Sequence, residues 1–259
     1  MFITPCEFED GGVVNMEKKF SNKPGIRICF VMVFSFVLSF ALNIPVHADE
    51  EPEKIYYGLK NASTILNNIN FTDVRNSATW SKEAICEAAA LDIVKGYGNR
   101  VFGRTNNVTK EEAIAIIYRA AGREKDAQLA AEALETARNA EDRSSYAPSM
   151  WSDGYLQLAA GEGLISSQDL QDAFTADQSS LGTGAFLRRA PAQRQEVAYW
   201  ISKVFGIEPV YGQQKIFNSF RDWSSADPLK IPYIEAVLVE NIMNGEGNGY
   251  FRPTGFVTR

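Results

Sequence analysis

The sequence predicts an all-α protein of tandem helix–loop–helix repeats, and three observations lead to this fold class. Residues 71–110 align with residues 220–259 without a gap, and eleven of the 40 aligned positions are identical. Apolar residues in each copy recur at helical spacing, as at Tyr155, Leu156 and Ala159. Glycines then follow each such segment, as they do where a helix ends and a loop begins. A repeat of this length indicates stacked supersecondary units.

The first 48 residues have the composition of a leader. Four basic residues precede an uncharged apolar run over residues 28–42, and the small residues Val46 and Ala48 stand at positions −3 and −1 of a cleavage site. This order of segments is typical of a secretory signal peptide. The alternative, a permanent membrane anchor, needs about 20 apolar residues, more than this run supplies. We therefore expect a secreted chain with no membrane span after processing.

The leader also bears on the chemistry of the mature chain. The two glycine codons shortly before Met16 can form a ribosome-binding sequence, so Met16 is expected to be the true start. Cleavage after Ala48 removes His47, the only histidine, together with two of the three cysteines, and leaves Cys86 as a single thiol. A chain without histidine has no Ser-His-Asp or Cys-His apparatus and no histidine zinc site. We expect no enzyme activity, no cofactor and no metal site.

The repeats divide the rest of the chain into five segments. These are a leading helix (49–70), a first module (71–123), a helical linker (124–143), a second module with a loop insertion at 166–184 (144–207), and a truncated third module (218–259). First helices are expected over 80–91, 151–162 and 229–240. Second helices are expected to begin at Thr109 and Gln193 and to end at Gly122 and Gly206.

The third copy ends before its second helix. We expect this to leave the apolar face of its first helix partly exposed, at Tyr233, Ile234, Val237 and Leu238. Fraying of the third copy, with the first two copies intact, is the predicted consequence.

A basic residue stands at the start of each second helix. Thr109 and Glu112 form a capping box in the first copy, and Lys110 lies inside it. Arg194 and Arg259 occupy the equivalent positions in the other copies. A cation in the first turn opposes the helix dipole, so helix stability does not explain it. A helix N-terminus with free N–H groups and a cation instead predicts an anion-binding site.

Together these motifs resemble the S-layer homology domain. The shared features are an opening Phe-x-Asp, a Trp-led first helix, a glycine-bearing loop and a closing Thr-Arg with a capping Glu. The closing motif stands here as Val108-Thr109-Lys110-Glu111-Glu112, Ala192-Gln193-Arg194-Gln195-Glu196 and Val257-Thr258-Arg259. The resemblance covers about residues 71–259 and recurs three times in the same order.

The resemblance implies a three-module helical unit with pseudo-threefold symmetry. It also implies that grooves between modules bind secondary cell-wall polysaccharide, commonly carrying a pyruvate ketal, and so hold an exported protein on a Gram-positive envelope. Neighbours in an S-layer lattice are further expected partners. The implied polysaccharide-binding residues are Asp73, Trp80, Gly96, Lys110, Trp151, Arg194, Asp222, Gly245 and Arg259.

The chain departs from the family pattern in each copy. Lys110 keeps the charge but lacks the planar fork of arginine. Ser144 stands in place of the opening Asp of the second copy, and Leu229 in place of the Trp of the third. Arg194 is therefore expected to be the strongest anion contact, because it combines a guanidinium with a completed second helix.

Two sets of site residues have a plainer alternative role. Trp80 and Trp151 are either core residues or stacking platforms for a ligand. Asp73 and Asp222 either cap local turns or bind sugar.

Other classes of function fit the sequence less well. The formal net charge of −6 gives the chain no electrostatic reason to follow a nucleic-acid backbone. A hydrolase would need a pair of carboxylates in a cleft, and the repeats offer none that is unique. The main alternative is a secreted helical scaffold that binds another envelope protein.

Overall fold

The computed structural model describes residues 71–74, 79–140 and 150–259. The predicted signal peptide, the leading helix and Ser144 lie outside these residues. The described part is helical, with three short 3-10 turns and isolated β-bridges in place of a sheet. Its α-helices are α1 (Thr79–Ala90), α2 (Lys110–Ala120), α3 (Glu124–Ala140), α4 (Asp153–Gly161), α5 (Ser167–Ala173), α6 (Arg194–Val204) and α7 (Ile231–Val239). The all-α prediction is confirmed.

The second helices begin at the residues that the capping motifs predict. Thr109 is the N-cap of α2: its hydroxyl accepts from the Glu112 N–H, and the Glu112 carboxylate accepts from the Thr109 N–H at 2.9 Å. At α6 the Glu196 carboxylate accepts from the Gln193 N–H at 2.8 Å. These bonds satisfy backbone donors that a helix start leaves without partners.

The first helices of all three repeats end in the same left-handed turn. The second residue after each helix has a positive φ, 61° at Asp92, 71° at Gly163 and 55° at Asn241. In each copy the next N–H reaches back to the carbonyl five residues earlier, as from Ile93 to Ala88 at 2.8 Å. This is the Schellman pattern, and Asp and Asn are among the few non-glycine residues that adopt it.

The closing segments of the repeats meet in a ring of hydrogen bonds. Val108 donates its N–H to Val257 at 2.8 Å, Val257 donates to Ala192 at 3.0 Å, and Ala192 donates to Val108 at 2.8 Å. These three residues are equivalent in the repeat alignment. The ring therefore relates the three repeats by approximate threefold symmetry at this junction.

Each second helix packs on the first helix of the following repeat. Helix α2 packs on α4, and α6 packs on α7. Ile234 and Val237 of α7 are completely buried, in a cluster that includes Ala198 of α6. The expectation that the apolar face of the third copy is left exposed was therefore wrong. That expectation paired the two helices within one repeat, whereas the packing runs between repeats.

Two further helices lie in the linker and in the insertion of the second repeat. Helix α3 lies within the segment predicted as a helical linker. The insertion after Ser166 was predicted to be a surface loop, but its first half forms α5. Ser166 caps this helix with Asp169, in a capping box that was not predicted, and Ala173 is buried.

Cys86 is buried in α1 and disulfide-bonded. This differs from the expected single free thiol, which assumed cleavage after Ala48 and hence the loss of the other two cysteines.

Candidate functional site at the repeat junctions

The backbone N–H groups at the second-helix starts are already bonded. Lys110 donates its N–H to Ala190 O at 2.9 Å, Arg194 to Gly255 O at 2.8 Å, and Arg259 to Asn106 O at 3.0 Å. Each acceptor belongs to the next repeat in cyclic order. The expectation that these N–H groups are free to hold an anion was therefore wrong. Only the basic side chains remain available at these positions.

The Lys110 ammonium lies at the junction between the first and second repeats. Its Nζ is 2.8 Å from Oε1 of Glu196, the capping residue of α6, and 5.0 Å from the centre of the Phe186 ring. The side chain is 18% exposed. One carboxylate therefore neutralises this cation, and two of its three N–H donors need other partners.

The Arg259 guanidinium is the most enclosed of the three. Its Nη1 donates to Oε1 of Glu112 at 3.0 Å, and its Nη2 donates to the Lys95 carbonyl. The guanidinium stacks over the Tyr97 ring, with 4.3 Å between the guanidinium carbon and the ring centre. The side chain is 6% exposed, and Nε has no hydrogen-bond partner among the described residues. The Arg259 guanidinium therefore links the third repeat to the first.

Arg194 is held differently, at the junction between the second and third repeats. Its Nε donates to Phe251 O at 2.8 Å, and its Nη2 donates to Asn244 O at 2.6 Å. Its Nη1 has Glu246 as its ion-pair partner at 3.7 Å, which is beyond hydrogen-bonding distance. Burial lowers the pKa of this guanidinium, and the carboxylates of Glu246 and Asp222 partly oppose that effect. Nη1 therefore has no carboxylate within hydrogen-bonding distance among the described residues and can donate to a closer anion.

Asp73 and Asp222 clamp a loop within their own repeats. The Asp73 carboxylate accepts from the N–H groups of Phe102 at 2.9 Å and Gly103 at 2.7 Å, and Asp222 accepts from Phe251 at 3.0 Å and Arg252 at 2.7 Å. Burial raises the pKa of Asp73, but the backbone hydrogen bonds outweigh it and lower the pKa below its usual value. These bonds span about 30 residues, so neither aspartate merely caps a local turn.

Gly96 and Gly245 have a steric role. A Cβ atom at Gly96 would lie 2.7 Å from both the Phe71 ring and Val101 O. At Gly245 a Cβ would press into the Phe220 ring and lie 3.0 Å from Tyr250 O. The glycines let the opening phenylalanine of each repeat pack directly on the loop backbone.

The predicted aromatic platforms differ among the junctions. Trp151 is 57% exposed, so its alternative role as a core residue is wrong. Its ring packs edge-on against Tyr155, with 6.2 Å between ring centres, and lies beside the guanidinium of Arg119. Trp80 lies in the first turn of α1, but its side chain is outside the described residues. Leu229, at the equivalent position of the third repeat, is 81% exposed.

A buried ionic cluster beside the Lys110 junction was not predicted from the sequence. Arg188 contacts Glu111 at 2.6 Å and Asp153 at 2.8 Å, and Asp153 also contacts Arg138 at 2.8 Å. Ser152 donates to Glu111 at 2.6 Å. The cluster ties the start of α2 to the start of α4. Its members are far apart in sequence. The one local hint was Glu111, a polar residue that directly follows Lys110, where Lys110, Arg194 and Arg259 are the closing cations of the three repeats.

Gln195 has the position of Glu111 in the second repeat and a comparable function. It is 7% exposed, and its Oε1 accepts from the Asp227 N–H at 2.8 Å. A buried polar side chain after the closing cation therefore reaches the next repeat at both junctions.

Among the parts that the structure describes, no helix combines the length and apolarity needed to cross a membrane. Within the same residues no group of His, Cys, Asp and Glu side chains is arranged to hold a metal ion.

The comparisons with known proteins identify the repeats. The S-layer homology domain family matches residues 70–114 and 219–259. A 48-residue stretch, 18% of this chain, is 42% identical to the amylopullulanase of Thermoanaerobacterium thermosulfurigenes and covers 3% of that protein. No solved structure matches the chain. The two family matches coincide with the first and third repeats, and the second repeat shares their hydrogen-bonded ring without a family match. The first and third repeats of the chain are therefore identified as S-layer homology domains.

Proposed function

We propose that this chain anchors an exported protein non-covalently to the bacterial cell wall by binding secondary cell-wall polysaccharide. S-layer homology domains are binding modules that anchor proteins to such polysaccharides. The finer proposal is that the polymer is anionic, with a carboxylate such as a pyruvate ketal, and that it binds at the repeat junctions. On this proposal the protein is secreted, resides in the cell wall or S-layer, and can have S-layer neighbours as further partners.

The observation that carries the proposal is the position of the closing cations. Lys110, Arg194 and Arg259 recur at equivalent positions, and each lies at a junction between two repeats. The whole chain has a net charge of −6, so it does not attract an anionic polymer through its overall charge. Affinity for such a polymer must come from local cations, and the junctions are where the repeats place them.

The three junctions offer different amounts of binding capacity. Arg259 donates to a carboxylate and a carbonyl and is almost fully enclosed. Lys110 is paired at 2.8 Å with Glu196. Arg194 has no carboxylate within hydrogen-bonding distance among the described residues, because Glu246 stands at 3.7 Å. We therefore assign the strongest anion contact to Arg194, with Lys110 as a second anion contact.

The test uses purified cell-wall sacculi with and without their secondary polymer. The full chain should bind sacculi that carry the polymer, should bind poorly after the polymer is chemically removed, and should be displaced by the free polymer. Equal binding to stripped sacculi would overturn the proposal. Binding that requires an envelope protein instead of the polymer would favour the scaffold alternative.

A further inference from the structure

Trp223 is exposed at a place where the first repeat buries a core residue. In the repeat alignment Trp223 corresponds to Val74. Val74 is 2% exposed, whereas Trp223 is 43% exposed. The backbone turns at Trp223 in a short 3-10 helix, Trp223–Ser225. Within the described residues none of the ring-to-ring contacts involves Trp223.

The residues before and after Trp223 are linked to the start of α6. The neighbouring Asp222 accepts from the Phe251 N–H at 3.0 Å, and Phe251 O accepts from Arg194 Nε at 2.8 Å. A few residues later Asp227 donates to Gln195, which follows Arg194, at 2.8 Å. Residues 222–227 therefore run beside the first turn of α6, and Trp223 lies in the same junction as the Arg194 guanidinium.

The junction around Arg194 also lacks the tryptophan found at the preceding junction. Leu229 occupies the position of Trp151 and is 81% exposed. An aliphatic side chain offers no flat ring against which the C–H face of a sugar can stack, whereas an indole does. Exposed large apolar residues beside a cation are typical of a ligand surface.

From these observations we propose that Trp223 is the sugar-stacking residue of the junction between the second and third repeats. The ligand class is a saccharide that bears a carboxylate, with the carboxylate at Arg194 Nη1 and the sugar ring against the indole of Trp223. This inference rests on the proposed polysaccharide-binding function and adds a residue that the family pattern does not supply.

The experiment separates the sugar contact from the anion contact. The probes are a methyl hexopyranoside carrying a pyruvate ketal and, as the anion without a sugar ring, free pyruvate. Each is titrated into the full chain and followed by NMR chemical shifts and tryptophan fluorescence. The variants are Trp223→Val, which restores the residue of the first repeat, and Trp223→Phe, which keeps an aromatic ring. Tyr211→Ala, at a residue that is 71% exposed, is the control.

Trp223→Val should weaken binding of the ketal sugar about three- to tenfold and leave binding of pyruvate unchanged, since the loss is one of stacking alone. Trp223→Phe should retain most of the affinity, and Tyr211→Ala should match the original chain. Equal affinity of Trp223→Val for the ketal sugar would overturn the inference, even if polymer-dependent binding to sacculi persists. If Trp223→Val fails to fold, a sugar-induced change in tryptophan fluorescence that persists in Trp223→Phe would overturn it instead, because the responding indole would then not be that of Trp223. Loss of polymer dependence in the original chain would be a failure of the proposed function itself.

Discussion

Lys110 closes the first repeat, and its ammonium pairs at 2.8 Å with Glu196, which caps the second helix of the next repeat. Arg259 repeats this relationship with Glu112 at 3.0 Å. Each capping glutamate therefore has two functions: one oxygen satisfies the start of its own helix, and the other holds the cation of the preceding repeat. Helix capping and attachment between repeats thus depend on the same side chain.

Glu112→Gln should destabilise the protein because it removes a charged cap acceptor and the partner of Arg259 together. Glutamine can still accept at the helix start through its amide oxygen, so the main cost is at the enclosed Arg259, which loses a charge-assisted hydrogen bond of about 1.5–3 kcal/mol. We expect a decrease of about 1–3 kcal/mol in the free energy of unfolding, measured by urea denaturation. Glu132→Gln, on the exposed face of α3, should change it little. Equal effects of the two substitutions would contradict the double role of Glu112.

Arg188→Met should be among the most damaging single substitutions. Arg188 is 2% exposed and contacts both Glu111 and Asp153, so its removal leaves two buried carboxylates with less compensation. Breaking a buried ion pair in this way costs about 3–5 kcal/mol. The neighbouring Arg189 is exposed, so Arg189→Met is a matched control that should remain near the original stability. Thermal and urea unfolding of the two variants would compare them, and a loss below about 1 kcal/mol for Arg188→Met would contradict the prediction.

Gly245→Ala should destabilise the third repeat through overpacking. The added methyl group would press into the Phe220 ring and lie 3.0 Å from Tyr250 O, and overpacking of this kind costs about 1–3 kcal/mol. Gly161, at the end of α4, has no atom within 4 Å of the place that an added Cβ would occupy. Gly161→Ala should therefore be neutral or stabilising by up to about 1 kcal/mol. Gly245→Ala should lower the urea midpoint and Gly161→Ala should not, and an equal decrease for both would count against a steric role for Gly245.

The pH dependence of stability should include a contribution from Asp73. Burial raises its folded-state pKa, but backbone hydrogen bonds from Phe102 and Gly103 outweigh burial and lower that pKa overall. A lowered carboxyl pKa gives stability that is present above the unfolded value of about 3.9 and is lost as the pH falls through the folded value. Relative to Asp73→Asn, the original chain should therefore lose stability as the pH falls below about 4, measured by urea unfolding. A parallel pH profile for the two proteins would show that Asp73 does not contribute.

The local features of this fold were predictable from sequence, and the packing was not. Thr109 and Glu112 predicted the start of α2, because a capping box involves only residues within one turn. The ring through Val108, Ala192 and Val257 could be expected only through the family resemblance. The pairing of α6 with α7 was assigned to the wrong repeat, because apolar periodicity shows which face of a helix is buried and not which helix covers it.

The candidate site was also only partly predictable from the sequence. The three cations stood out because a basic residue at a helix start is unfavourable for the helix itself. The residues around these cations could not be predicted, since the acceptors of Arg194, at Asn244 and Phe251, are about 50 residues away. Trp223 was missed because its aligned partner, Val74, is an ordinary core residue.

The last prediction concerns Arg194→Lys, which keeps the positive charge and removes the planar fork. The position of Arg194 at a helix start suggested a side chain that is dispensable for stability. It also holds Phe251 O and Asn244 O, however, so an alanine variant would mix binding with folding. A lysine has one charged nitrogen and cannot contact both carbonyls and an incoming carboxylate with the same geometry. We expect binding to polymer-bearing sacculi to weaken about tenfold, the equivalent of one charge-assisted hydrogen bond. Arg189→Lys, at an exposed position outside the junction between the second and third repeats, should bind as the original chain does. A co-sedimentation titration would measure both variants, and unchanged affinity of Arg194→Lys would transfer the principal anion contact to Lys110 or Arg259.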